Sequence, residues 1–139
     1  MAGYSATPLV KKLGIKPDTA LYVKNAPRDY RKLCEGLPPG TKVARRLAGN
    51  PSFVHLFTTS RTELAAELRK YRRQIAQDGV IWVSWPKKSS KLPSTVTEDT
   101  VREVALPLDL VDIKVCAVDD TWSGLKLMIR KDLREPAGN

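Results

Sequence analysis

Cysteine and histidine are nearly missing from this chain of 139 residues: Cys34, Cys116 and His55 are all there is. Two thiols and one imidazole, far apart in sequence, supply neither a disulfide framework nor a thiolate/imidazole zinc cage. No apolar run approaches the roughly 18 residues that span a bilayer. Met1-Ala2-Gly3-Tyr4-Ser5 lacks the basic-then-apolar order of a secretory leader. A cytoplasmic protein without a membrane role is therefore expected. Acidic side chains are also scarce, 15 against 24 Lys and Arg, for a net charge of +9.

What is present suits one domain over residues 1–139. The chain is 42% apolar and 28% charged, and at this length folding buries about two-thirds of the unfolded surface, so no metal or disulfide is needed to hold a core. Charge is uneven: residues 1–91 hold 18 Lys/Arg against 6 Asp/Glu, whereas residues 92–139 hold 6 against 9. That imbalance suits an anionic partner, either a small anionic ligand, nucleic acid or an acidic protein surface, and also serves solubility.

Periodicity and punctuation alternate between strand and helix. Thr7 caps a short helix over 7–13, with Pro8 at its first position and Gly14 as its stop. Ala20 to Val23 reads as a strand covered on both faces. Asn25 and Pro27 then open a helix carrying Tyr30, Leu33, Cys34 and Leu37, ended by Gly36 and Pro38-Pro39-Gly40. Thr41 to Leu47 holds a weaker strand. Leu47 to Ser52 is too short for the dozen or more residues of an ordinary parallel crossover, so that strand is either abbreviated or antiparallel.

Phe53 to Phe57 has the composition of a buried central strand. Ser60 with Glu63 forms a capping box, and Leu64, Leu68, Tyr71 and Ile75 make one helical stripe closed by Asp78-Gly79. Val80 to Trp85 is the next strand, and a Lys/Ser/Pro-rich loop covers 86–94. Thr95 with Glu98 offers a second capping box, for a helix bearing Val101, Val104, Ala105 and Leu108 that Pro107 should kink or end. Val111 to Val118 and Leu125 to Ile129 alternate around the 119–124 turn as an antiparallel hairpin. The expected fold is α/β, a three-layer sandwich around a mostly parallel sheet with a C-terminal antiparallel hairpin.

The order of these parts resembles a shortened class I S-adenosylmethionine methyltransferase, a Rossmann-like fold. Leu13-Gly14-Ile15-Lys16-Pro17 forms the lead-in, and Asp78-Gly79-Val80-Ile81-Trp82-Val83 opens a later strand. Tyr4 to Leu13, Ser84-Trp85-Pro86-Lys87-Lys88 and Val115 to Gly124 further resemble an uncharacterised bacterial family, a domain of unknown function. Methyltransferases of this class carry a glycine-rich turn after the first strand, because backbone there approaches the cofactor closely. Here the turn is Lys24-Asn25-Ala26-Pro27-Arg28. The acidic residue that holds a ribose diol after the second strand is replaced by Arg45-Arg46, which offer no acceptor. No cofactor and no catalytic residue carries over.

Ligands of open α/β sheets sit outside the carboxyl ends of the parallel strands. Those ends carry Lys24, Asn25 and Arg28, then Arg45 and Arg46, then Ser60 and Arg61, then Trp85, Lys87 and Lys88. With helix N-termini adding N–H donors, this rim is the expected anion-binding site. The function expected is non-catalytic binding or regulation on a degenerate scaffold, holding a nucleotide or a nucleic-acid phosphate; the alternative is a divergent S-adenosylmethionine-dependent methyltransferase. His55, inside an apolar run, reads as a hydrogen-bonded core residue rather than a general base. Cys34, Cys116 and Trp82 read as core, whereas Trp85 could stack on a ligand ring. Asp119, Asp120 and Trp122 read first as turn residues, and Arg69, Lys70, Arg72 and Arg73 as a solvated basic face.

Overall fold

A computed structural model describes residues 8–44, 46–47 and 49–135. Thr7, the expected first cap, and Arg45 lie outside the described residues. In chain order the elements are α1 (Leu9–Leu13), β1 (Ala20–Lys24), α2 (Tyr30–Leu33), β2 (Lys42–Ala44), β3 (Phe53–Phe57), α3 (Arg61–Gln74), β4 (Val80–Pro86), α4 (Glu98–Ala105), β5 (Leu110–Ala117) and β6 (Trp122–Ile129).

The strands form one six-stranded sheet of order β2-β1-β3-β4-β6-β5. β2, β1, β3 and β4 run parallel, and β6 lies antiparallel to both β4 and β5. Period-two alternation divides the side chains between two cores. Val54 and Leu56 of β3, with Ile81, Val83 and Trp85 of β4, pack with Leu64, Leu68 and Tyr71 of α3 and Val101 and Ala105 of α4. Phe53, Phe57 and Trp82 point the other way and pack with Leu9, Val10 and Leu13 of α1 and Tyr30 of α2. Two apolar clusters on opposite faces make a three-layer α/β sandwich, as the sequence leads one to expect.

β2 is abbreviated and parallel, which settles the question raised by its short connection. Leu21 pairs with Val43 on one side and with Phe53 on the other, so the two outer strands stand at nearly the same height. The link between Ala44 and Phe53 must cross two strand spacings, about 10 Å. It need not descend the full sheet. Eight residues reach about 26 Å, so no helix is required.

Three local expectations change. Asp29, not Asn25, precedes α2, which has only 4 residues; Pro27 and the positive φ of Asn25 (59°) keep the preceding turn non-helical. The reciprocal box at α4 joins Thr97 to Thr100: the Thr97 hydroxyl accepts from Thr100 N–H at 3.2 Å, and the Thr100 hydroxyl accepts from Thr97 N–H at 3.1 Å. Thr95 instead accepts from Arg61 N–H at 2.8 Å, tying the loop to the start of α3. At α3, Ser60 caps Glu63 N–H as expected, but the Glu63 carboxylate is drawn elsewhere. Pro107 does end α4, in a short 3₁₀ turn over Leu106–Leu108, and Gly14 closes α1 in the left-handed region at φ 71°. Among the described residues no helix is long and apolar enough to cross a membrane.

Candidate functional site

The order of strands reverses between β1 and β3, where a ligand crevice is expected at the carboxyl ends. This chain fills that place with its own side chains. The Asn25 amide reaches across to donate to the Phe57 carbonyl at 3.0 Å and to Glu63 Oε1 at 3.2 Å. Thr58 donates to the same carboxylate oxygen at 2.6 Å. Ser60 spends its hydroxyl on the helix cap. Lys24 turns to Glu67 of α3, whose buried carboxylate also receives Lys70 at 3.0 Å. The Glu67 partner holds the Lys24 ammonium above its ordinary pKa. Burial alone would lift the Glu67 carboxyl, but hydrogen bonds from Lys24 and then Lys70 outweigh it and hold that group below the usual range.

The other rim residues fall in separate places. Arg61 pairs with Glu103 of α4 at 2.8 Å, both side chains being exposed. Arg28 is exposed in the turn before α2. Arg46 lines a hollow of about 180 Å³ whose walls include Ala20 and Ser52, at the amino ends of β1 and β3.

Trp85, Lys87 and Lys88 share one groove of about 580 Å³ at the carboxyl end of β4. Pro86, Lys87 and Lys88 line it from the end of β4, Thr97, Glu98 and Asp99 from the start of α4, and Trp85, Val96 and Ser123 complete the lining. Trp85 is only 6% exposed, so its indole belongs mostly to the core and presents an edge to the groove. Lys87 N–H donates to the Thr121 carbonyl at 2.8 Å, anchoring the lysine wall to the hairpin turn. Among the described residues, no ion pair involves Lys87 or Lys88, whereas Glu98 and Asp99 both face Arg102. The acidic wall is not visible in the sequence, where Glu98 reads as a capping partner. Adjacent acids in a first helical turn also suit the helix dipole, so nothing in sequence alone distinguishes the two uses.

His55 is wholly buried. Its Nδ1 lies 3.1 Å from the Tyr30 hydroxyl and its Nε2 2.8 Å from the Ser84 hydroxyl, and the ring stacks on Phe57 at 4.2 Å. Burial drives its pKa down to about 3. Held neutral and closed to solvent, it is a structural polar bridge between β3, β4 and α2. Trp82 is buried on the same face and donates its indole N–H to the Leu13 carbonyl at 3.0 Å, fastening α1 to the sheet.

No family model and no curated protein matches the chain. Solved structures do match in fold. An S-adenosylmethionine-dependent methyltransferase from Aquifex aeolicus superposes with a TM-score of 0.60 at 13% identity, covering 87% of this chain and 87% of that one. A precorrin-6y C5,15-methyltransferase from Geobacter metallireducens GS-15 gives 0.58 at 12% identity, covering 86% and 84%. A ribosomal protein L11 methylase from Lactobacillus delbrueckii subsp. bulgaricus gives 0.53 at 8% identity, covering 88% and 75%. The chain thus has a shortened methyltransferase-like Rossmann fold, and at these identities the likeness concerns fold alone. The residues at the end of β1 do not fit the cofactor of those enzymes: the turn has no glycine and Asn25 spans it.

Proposed function

We propose that this chain is a non-catalytic binding or regulatory protein on a methyltransferase-like scaffold, holding an anionic ligand, a nucleotide or nucleic-acid phosphate, in the groove at the end of β4. The observation that carries this reading is the pair Lys87 and Lys88, which line the groove with no carboxylate partner among the described residues. Lys24, Asn25 and Ser60 are spent inside the chain, so the working part of the rim contracts to Trp85, Lys87 and Lys88. Arg28, Arg46 and Arg61 supply long-range attraction from other faces. The two unmatched lysines would meet phosphate oxygens as point charges.

Isothermal titration with AMP and with a single-stranded oligonucleotide tests this reading. Two phosphate contacts predict a log–log salt slope of about −1.4 for the single strand. Lys87→Glu with Lys88→Glu should abolish binding without lowering Tm. Binding unchanged by that double substitution refutes the assignment.

The second reading is a divergent S-adenosylmethionine-dependent methyltransferase. The structural comparisons favour it over the first, since the neighbours are such enzymes, while the β1 turn speaks against it. Saturable binding of S-adenosylmethionine would support this reading and count against the first. Membership of the uncharacterised bacterial family, a cytoplasmic location and an acidic protein as competing partner belong to the same proposal, on the sequence strings and charge distribution given above.

A further inference from the structure

Charge in the β4–α4 groove is of both signs, and that feature narrows the ligand. Resting on the reading of this groove as the binding site, and going beyond the phosphate proposed for it, we infer that its occupant is a zwitterion of the amino-acid type. Its acidic group meets Lys87 and Lys88, and its ammonium meets Glu98 and Asp99. The two walls are built independently, one from the end of β4 and one from the start of α4.

The acidic wall is not neutralised by its own neighbours. A single guanidinium, Arg102, serves three carboxylates: it pairs with Glu98, donates from Nε to Asp112 at 3.0 Å, and stands 3.6 Å from Asp99. The Asp99 side chain is 88% exposed. Of these three carboxylates Glu98 and Asp99 line the groove, and they share their one cation with Asp112, which does not. A simple anion placed between these walls gains the lysines and is repelled by the acids. A ligand carrying both charges gains on both sides. Trp85 and Val96 supply apolar surface for the ligand's carbon skeleton. About 580 Å³ accommodates an amino acid with a bulky side chain, within the usual range of small-molecule sites.

The test uses three probes that differ only in charge: L-phenylalanine, 3-phenylpropanoate and 2-phenylethylammonium, titrated calorimetrically into the full chain beside AMP. Phenylalanine should bind about fivefold more tightly than either singly charged analogue, the upper end of what one partly exposed charge pair contributes. Asp99→Asn, at an exposed position, should keep Tm and erase that preference while leaving phenylpropanoate binding equal or tighter. Lys87→Gln with Lys88→Gln should weaken both. If phenylpropanoate binds as well as phenylalanine and both need the lysines, the zwitterion inference falls and the groove reading stands. The inference falls in the same way, with the groove reading intact, if AMP binds through the lysines and none of the three probes binds. If neither the probes nor AMP bind, both fall.

Discussion

Mild acidification, from pH 8 to pH 5, should destabilise this protein chiefly through one residue, and the chain is suited to showing it because His55 is the sole histidine. Burial lowers its pKa from 6.5 to about 3 in the folded state, while the unfolded chain titrates near the ordinary value. Between those two values the unfolded state holds one proton more than the folded state, so stability rises with pH there and falls on acidification. The limiting slope is about 1.4 kcal/mol per pH unit. From pH 8 to pH 5 the loss from this group is about 2 kcal/mol, and below pH 3 it reaches roughly 4 to 5 kcal/mol. That is a large share of the roughly 5 to 15 kcal/mol typical of a domain.

The assay is urea unfolding at half-unit intervals from pH 8 to pH 5, a window that precedes most carboxylate protonation. His55→Gln cannot titrate, so its stability, whatever its starting level, should stay nearly flat across the window while the natural chain slopes. Parallel slopes in the two proteins would refute the reasoning. So would a His55 ring proton resonance that shifts with a midpoint near 6.5 in the folded protein.

Asn25 adopts φ 59° and bridges to Phe57 and Glu63. Asn25→Gly should cost about 1 kcal/mol for the lost hydrogen bonds, and Asn25→Ala about 2 to 3 kcal/mol because backbone strain is added. Chemical denaturation that ranks alanine above glycine would overturn this account of the turn. Lys24→Met leaves buried Glu67 with Lys70 alone and should cost about 2 kcal/mol at pH 7. The folded pKa of Glu67 lies below its ordinary 4.5, so the stabilisation it carries is present above that value and lost as pH falls through the folded one. The difference between variant and natural chain should therefore shrink below pH 4; a gap of constant size down to pH 3 would show that the ion pair is not its source.

Much of the architecture was legible without coordinates. Phe53 to Phe57 and Val80 to Trp85 are continuous apolar runs, and such runs in short segments can be satisfied only by a strand covered on both faces. The stripe Leu64, Leu68, Tyr71, Ile75 and the 111–129 alternation carry their periods openly. Boundaries were less legible. Thr95 and Thr97 both precede an acidic residue and an apolar stripe, and the choice between them depends on Arg61, a residue of another helix, taking the Thr95 hydroxyl.

Residue types and their spacing determined the three-layer sheet, the core role of His55 and the lack of a glycine turn after β1, because hydrophobic period and backbone permissiveness are local properties. Which charges remain free was decided only in three dimensions. Lys24 ends one apolar strand and Lys87 follows another, yet α3 brings Glu67 to the first, whereas the second lines a groove together with the start of α4. The Lys24–Glu67 pairing is a contact across tens of residues of sequence, and it exists only once α3 has packed on the sheet.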